Sequence, residues 1–188
     1  MVPEGIPDRP PCQYLALTGG RLPQWPNGGW NCDKRPQARH SSVNESLPPM
    51  WGLHEYWLAT GSHEARDAAA RAAELFLQHS VYRSHTTGEV MHPSVVRLRY
   101  PAYWHYNVLQ ALTMLARVGR ATDPRTRDAL DLVESMRKPD GTWHPSGAWW
   151  NSPASRSYPD PVDWRRSGPN EWLTLNALRV LAASAPPD

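Results

Sequence analysis

The 188-residue chain has one Phe, two Cys and, among its 20 basic residues, only the lysines Lys34 and Lys138. It also lacks long apolar runs: Arg, His, Asn or Pro interrupts each one well before the roughly 18 residues a bilayer span needs, so no membrane helix is expected. The basic residues are spread along a chain of net charge +2, with no stripe that would serve as a footprint for nucleic acid. Cys12 and Cys32 stand on Pro- and Gly-rich segments, and one possible pair is too little for a disulfide framework. Pro3, Pro7, Pro10 and Pro11 break up the first residues, which lack the apolar centre of a secretory signal. The expectation is a cytoplasmic protein with reduced thiols. The scarcity of lysine fits GC-rich codon usage and carries no functional weight.

What is present describes a helical protein. Apolar residues make up 40% and charged residues 20%, enough to bury a core. Strict two-residue alternation is nearly absent, whereas Val108, Leu109, Leu112, Leu115 and Ala116 recur at helical spacing from about 103 to 118, with Gly119 as a left-handed stop. Asp123 and Pro124 suit the cap and first position of a helix reaching about Lys138. Ala65, Ala69, Ala72 and Phe76 line one side of an amphipathic helix over 63–79. A run over 46–60 ends at Gly61, and Pro48 and Pro49, unfit for a helix interior, are expected to open it. The last helix, 170–183, has apolar residues on most sides and is expected to be buried on most sides. The fold class is therefore all-α.

Richly apolar helices near 46–60, 103–118 and 170–183 alternate with amphipathic ones near 63–79 and 123–138. Aligning Gly52-Leu53, Ala111-Leu112 and Ala177-Leu178 relates the three apolar helices as repeats. The turns Asn27-Gly28-Gly29-Trp30 and Pro139-Asp140-Gly141-Thr142-Trp143 precede the first and third of them. A helical hairpin per unit at such a period predicts stacked α/α hairpins, in a solenoid or a closed toroid. Residues 1–26 read as a Pro-rich irregular segment and 27–188 as the helical domain.

The segments Gly28-Gly29-Trp30-Asn31-Cys32-Asp33, Tyr103 through Leu112, Lys138 through Trp143 and Asn170 through Leu178 resemble the prenyltransferase and squalene-cyclase-like α/α toroid superfamily, in particular its bacterial members of undefined activity. The resemblance implies part of a toroid with an axial, Trp-lined cavity for an isoprenoid-like apolar small molecule. The chain departs from the pattern in chemistry. It has neither the Asp-x-Asp-Asp acid of the cyclases, nor the Asp-Asp-x-x-Asp run of the magnesium-dependent terpene synthases, nor the zinc ligands of the protein prenyltransferases at the corresponding helix starts. The helices amount to about half a ring, so a second copy or a partner chain is expected to complete it. The alternative is a non-catalytic binding or assembly module that keeps the architecture alone. A carbohydrate-active α/α barrel would also suit Trp-rich walls and two carboxylates.

Three polar triplets, Asn44-Glu45-Ser46, Tyr103-Trp104-His105 and Pro169-Asn170-Glu171, are expected to meet at one end of the cavity. Glu45, His105 and Glu171 are the candidate acid, base or orienting groups, because a carboxylate beside an imidazole in an apolar pocket draws both pKa values toward neutrality. Trp51, Tyr103, Trp104, Asn107, Asn170, Trp172 and Thr174 are the candidate ligand contacts. Glutamate and asparagine in a helix's first turn also serve as caps, which needs no substrate. Trp30 and Trp143 read as staples between hairpins. Cys32, Asp33, His40 and His105 are ligand types without metal-site spacing, so no metal and no cofactor is expected.

Overall fold

The computed structural model describes residues 24–33, 40–147 and 164–185. The Pro-rich start, Cys12 and the Trp149-Trp150 pair lie outside them, and so do Asp160 and Asp163. The described residues form five α-helices and one 3-10 turn, with no strand and a single isolated bridge between Arg83 and Val90. The fold is all-α. Among the described residues no helix is long and apolar enough to cross a membrane. The chain divides into two compact units, Met1–Leu75 and Phe76–Asp188.

In the first unit, α1 is Val43–Thr60, and α2, His63–Gln78, begins there and carries the chain into the second. Gly61 ends α1 in the left-handed region, with its N–H bonded to the Trp57 carbonyl. Pro48 and Pro49 do not open α1 but lie inside it, one turn past its start. Their φ suits a helix, and their cost is the two N–H groups that would have returned to the carbonyls of Asn44 and Glu45. Buried Leu47 and Met50 on either side of the pair hold the turn in place. Beyond Met50 no residue of α1 is buried, and Trp51, Tyr56 and Leu58 are exposed. The small face of α2 is buried as its spacing predicts, through Ala65, Ala69, Ala72 and Phe76.

In the second unit, α3 (Val108–Arg117), the turn Pro124–Thr126 leading into α4 (Arg127–Ser135), and α5 (Glu171–Ser184) pack on one another in all three pairs. Leu109, Leu112, Leu115, Val133, Leu173, Ala177 and Val180 are buried there, as is Trp143. Asp123 accepts from the Arg125 N–H, so the cap falls where the sequence places it, and the first turn is 3-10. The guanidinium of Arg125 beside it pulls the Asp123 carboxyl down to about 2. Tyr82, Arg83 and Asp128 form a closed set: the tyrosine hydroxyl and the Arg83 Nε both donate to one oxygen of Asp128.

Two turns, one in each unit, are built alike. Trp25 N–H donates to the Gly29 carbonyl and Gly28 N–H to the Trp25 carbonyl; Lys138 N–H donates to Thr142 and Gly141 N–H to Lys138 in the same pattern. Gly28 and Gly141 both have positive φ, at 93° and 81°. A buried Trp follows each turn, and the N–H of the residue preceding the next helix reaches the Trp carbonyl: Ser42 to Trp30, and Asn170 to Trp143. The Trp N–H then donates to a hydroxyl in that helix's first turn, Trp30 to Ser46 Oγ at 2.9 Å and Trp143 to Thr174 Oγ1 at 3.0 Å.

Candidate functional site

The hydroxyl bonds fix which positions of α1 and α5 are equivalent: Ser42 with Asn170, and Ser46 with Thr174. The three polar triplets do not fall at equivalent places. Glu45 is the third residue of α1, Glu171 is the first of α5, and His105 stands two residues before the cap of α3. The expectation that α3 starts near Tyr103 is also corrected. Tyr103 adopts a left-handed φ of 51°, and Asn107 is extended at φ −145°, so the helix can begin only at Val108.

Glu45 belongs to the first unit, where its Oε2 accepts from the backbone N–H of Cys32 at 2.6 Å. Trp51, the first residue of the exposed part of α1, donates through Nε1 to Glu55. Asn31 reaches the His40 carbonyl, and the Asp33 N–H returns to Asn31. Cys32 is a free, exposed thiol. Among the described residues no three His, Cys, Asp or Glu side chains come close enough to hold a metal ion.

The remaining candidates lie in the second unit. Asn107 and Asn170 are both buried, and both are caps: Asn107 Oδ1 accepts from the Gln110 N–H and Asn170 Oδ1 from the Leu173 N–H, while Asn170 Nδ2 donates to the Trp164 carbonyl. Thr174 is engaged by the Trp143 N–H. These three polar groups serve the backbone.

The aromatic candidates are different. Trp104 is 54% exposed and Trp172 is 47% exposed, although each is a large apolar side chain. Each is braced by a second ring. Trp172 stacks on Tyr100 with planes 6° apart and centroids 5.6 Å apart, and the other neighbour of Tyr100 is Trp164, edge-on at 5.3 Å. Trp104 stacks on His105 at 4.6 Å, with Tyr103 tilted beside it at 6.4 Å. The segment 100–105 that leads into α3 thus lays Tyr100 on the first turn of α5. Tyr100 and Trp164 join the candidates through these ring contacts; the sequence does not single them out, because both sit in irregular segments where no periodicity points at them.

The electrostatics are modest. Burial lowers the pKa of His105 below the usual imidazole range, and the positive charge of Arg99 lowers it further. The ring is therefore neutral at neutral pH. Burial, with Arg97 nearby, lowers the pKa of Arg99 in turn. Glu171 lies 3.8 Å from Arg165 with its side chain 83% exposed, outside the apolar pocket that its role as an acid or base requires. The arrangement can hold a planar or apolar surface, and Glu171, the candidate carboxylate of this unit, is not desolvated. No protein-family model matches the chain, and no curated protein or solved structure matches it.

Proposed function

We propose that the chain is a prenyltransferase/squalene-cyclase-like α/α toroid protein whose second unit holds an isoprenoid-like apolar small molecule against Tyr103, Trp104 and Trp172, by binding rather than by chemistry. The observation that carries this reading is the pair of half-exposed indoles, each braced by a second ring, Trp172 flat on Tyr100 and Trp104 inclined 30° to His105. A pre-stacked aromatic surface accepts an apolar chain without losing side-chain entropy on binding. A neutral His105 adds no repulsive charge to it. The matching Trp turns of the two units support the repeated-hairpin part of the reading. The absence of the cyclase and zinc motifs from the sequence, and a Glu171 open to water, favour binding over turnover. An exposed free thiol at Cys32 suits the reducing cytoplasm.

The test is a thermal-shift and tryptophan-fluorescence titration with squalene, farnesyl diphosphate and an oligosaccharide. Squalene or farnesyl diphosphate is expected to raise the melting temperature, and Trp104→Ala and Trp172→Ala are each expected to weaken binding about tenfold, near 1.4 kcal/mol. A response to the oligosaccharide alone overturns the reading in favour of a sugar site, and no response from any of the three removes it.

A further inference from the structure

Helix α5 was expected to be buried on most sides, and it is not. Its stripe of Leu173, Ala177 and Val180 is buried, whereas Trp172, Leu175 and Leu178 are exposed. At 100° per residue, Glu171, Leu175, Leu178 and Ala182 form one line on the opposite side, with Trp172 and Arg179 flanking it, and all six are exposed. A helix that is apolar on both faces, with one face left in water, requires a cover.

The pattern on that face identifies the cover. Glu171 and Arg179 are the only charged residues of α5, and both belong to this face, four positions before and four after Leu175. Trp172 and Leu178 stand three before and three after it. A two-fold axis through Leu175 that runs two α5 helices antiparallel therefore brings Glu171 across from Arg179 of a second copy, twice. It sets Trp172 across from Leu178, and Leu175 against itself. A parallel pairing would place like charges together. The antiparallel one also opposes the helix dipoles favourably. The present partner of Glu171 is Arg165, at 3.8 Å between exposed groups, a contact weak enough to be exchanged.

We infer that the uncovered face of α5 is a self-association surface, on which a second copy of this chain docks its own α5 antiparallel about Leu175. The inference needs no ligand, although Trp172 is shared with the proposed ligand surface. The face is only three turns long, small beside a standard interface of roughly 800 Å² per partner, so the dimer is expected to be weak, with a dissociation constant on the order of tens of micromolar.

The measurement is sedimentation equilibrium of the full chain without ligand, from about 1 to about 300 µM, a range that brackets that constant. The mass is expected to rise from one copy toward two. Glu171→Arg and Arg179→Glu are each expected to weaken association at least tenfold, and the double reversal to restore it. Leu175→Cys, at the axis, is expected to form a disulfide-linked dimer under oxidation beyond whatever Cys12 and Cys32 produce in the parent chain. A single-copy mass across the whole range overturns the inference. So does a dimer that ignores both single reversals, which would place its interface elsewhere. Trp172 belongs to both surfaces, so the squalene titration is made at about 1 µM, where the chain is a single copy, and at that concentration either result can fail without the other.

Discussion

The Trp30 and Trp143 turns reach the same backbone geometry by different means. In the first, the backbone is packed bare against its neighbours: a Cβ on Gly28 would overlap the Arg71 carbonyl, and one on Gly29 would overlap Ser46 Oγ and come within 2.6 Å of Leu75. Gln24 ties this turn to α2, donating to the carbonyls of Gly28 and Ala68. In the second, space is free around Gly141, and side chains hold the turn. One oxygen of Asp140 accepts from both the N–H and the hydroxyl of Thr142. The indoles differ as well. Trp143 Nε1 donates to the Val133 carbonyl at 2.7 Å with the Arg137 guanidinium over its ring, while Trp30 Nε1 is buried without a hydrogen-bond partner. Two matching ladders of backbone bonds therefore do not imply matching energetics.

The largest test of that contrast is the glycine pair. Gly28→Ala sets a Cβ against backbone that cannot swing away and is expected to cost about 3 kcal/mol or more. Gly141→Ala meets only the positive-φ penalty, about 1 kcal/mol. Urea unfolding of both variants measures the gap, and equal costs would mean that the first turn has room its packing denies. Next come the indoles. Trp143→Phe loses a buried hydrogen bond and leaves the Val133 carbonyl with only the Met136 N–H at 3.2 Å, so it should cost about 1 kcal/mol more than Trp30→Phe, which removes a donor that bonds to nothing. If Trp30→Phe proves the costlier, shape rather than hydrogen bonding governs both sites. The hydroxyls should behave alike: Ser46→Ala and Thr174→Val each leave a Trp N–H without its acceptor, at about 1–2 kcal/mol. Hydrogen exchange at Trp30 and Trp143 resolves each loss at its own turn.

Much of this fold was legible because it is written locally. The Ala65, Ala69, Ala72, Phe76 stripe, the Asp123 cap and the Gly61 stop depend on neighbours within a turn or two, and each stands where spacing puts it. The register of the repeats was not legible. Small-residue-Leu pairs occur at several heights along a helix, while the equivalence of Ser46 with Thr174 rests on bonds spanning 16 and 31 residues. The start of α3 was misplaced because the apolar spacing gives no sign of the left-handed turn at Tyr103. Of the site, the exposed rings Tyr103, Trp104 and Trp172 could be named in advance, but Tyr100, the ring that braces Trp172, could not. The composition of α5 reads as burial on every side because hydrophobicity records what a face prefers and says nothing about what arrives to cover it.

The smallest effect bears on the two caps, where equivalence is easiest to assume. Asn170 and Ser42 each donate a backbone N–H to a Trp carbonyl, but only Asn170 also accepts a helix N–H through its side chain, from Leu173 at 3.0 Å. Asn170→Ala should therefore cost about 1 kcal/mol, and Ser42→Ala only a few tenths. The sequence Ser42-Val43-Asn44-Glu45 has the spacing of a reciprocal capping box, yet Glu45 has turned away to the Cys32 N–H. Glu45→Gln keeps an acceptor for that N–H, whereas Glu45→Ala removes it. Exchange at Cys32 should thus quicken in the alanine variant and hold in the glutamine one. If Ser42→Ala instead costs as much as Asn170→Ala, the serine side chain caps α1 in solution, Glu45 is free to close the box, and the two helix starts are alike after all.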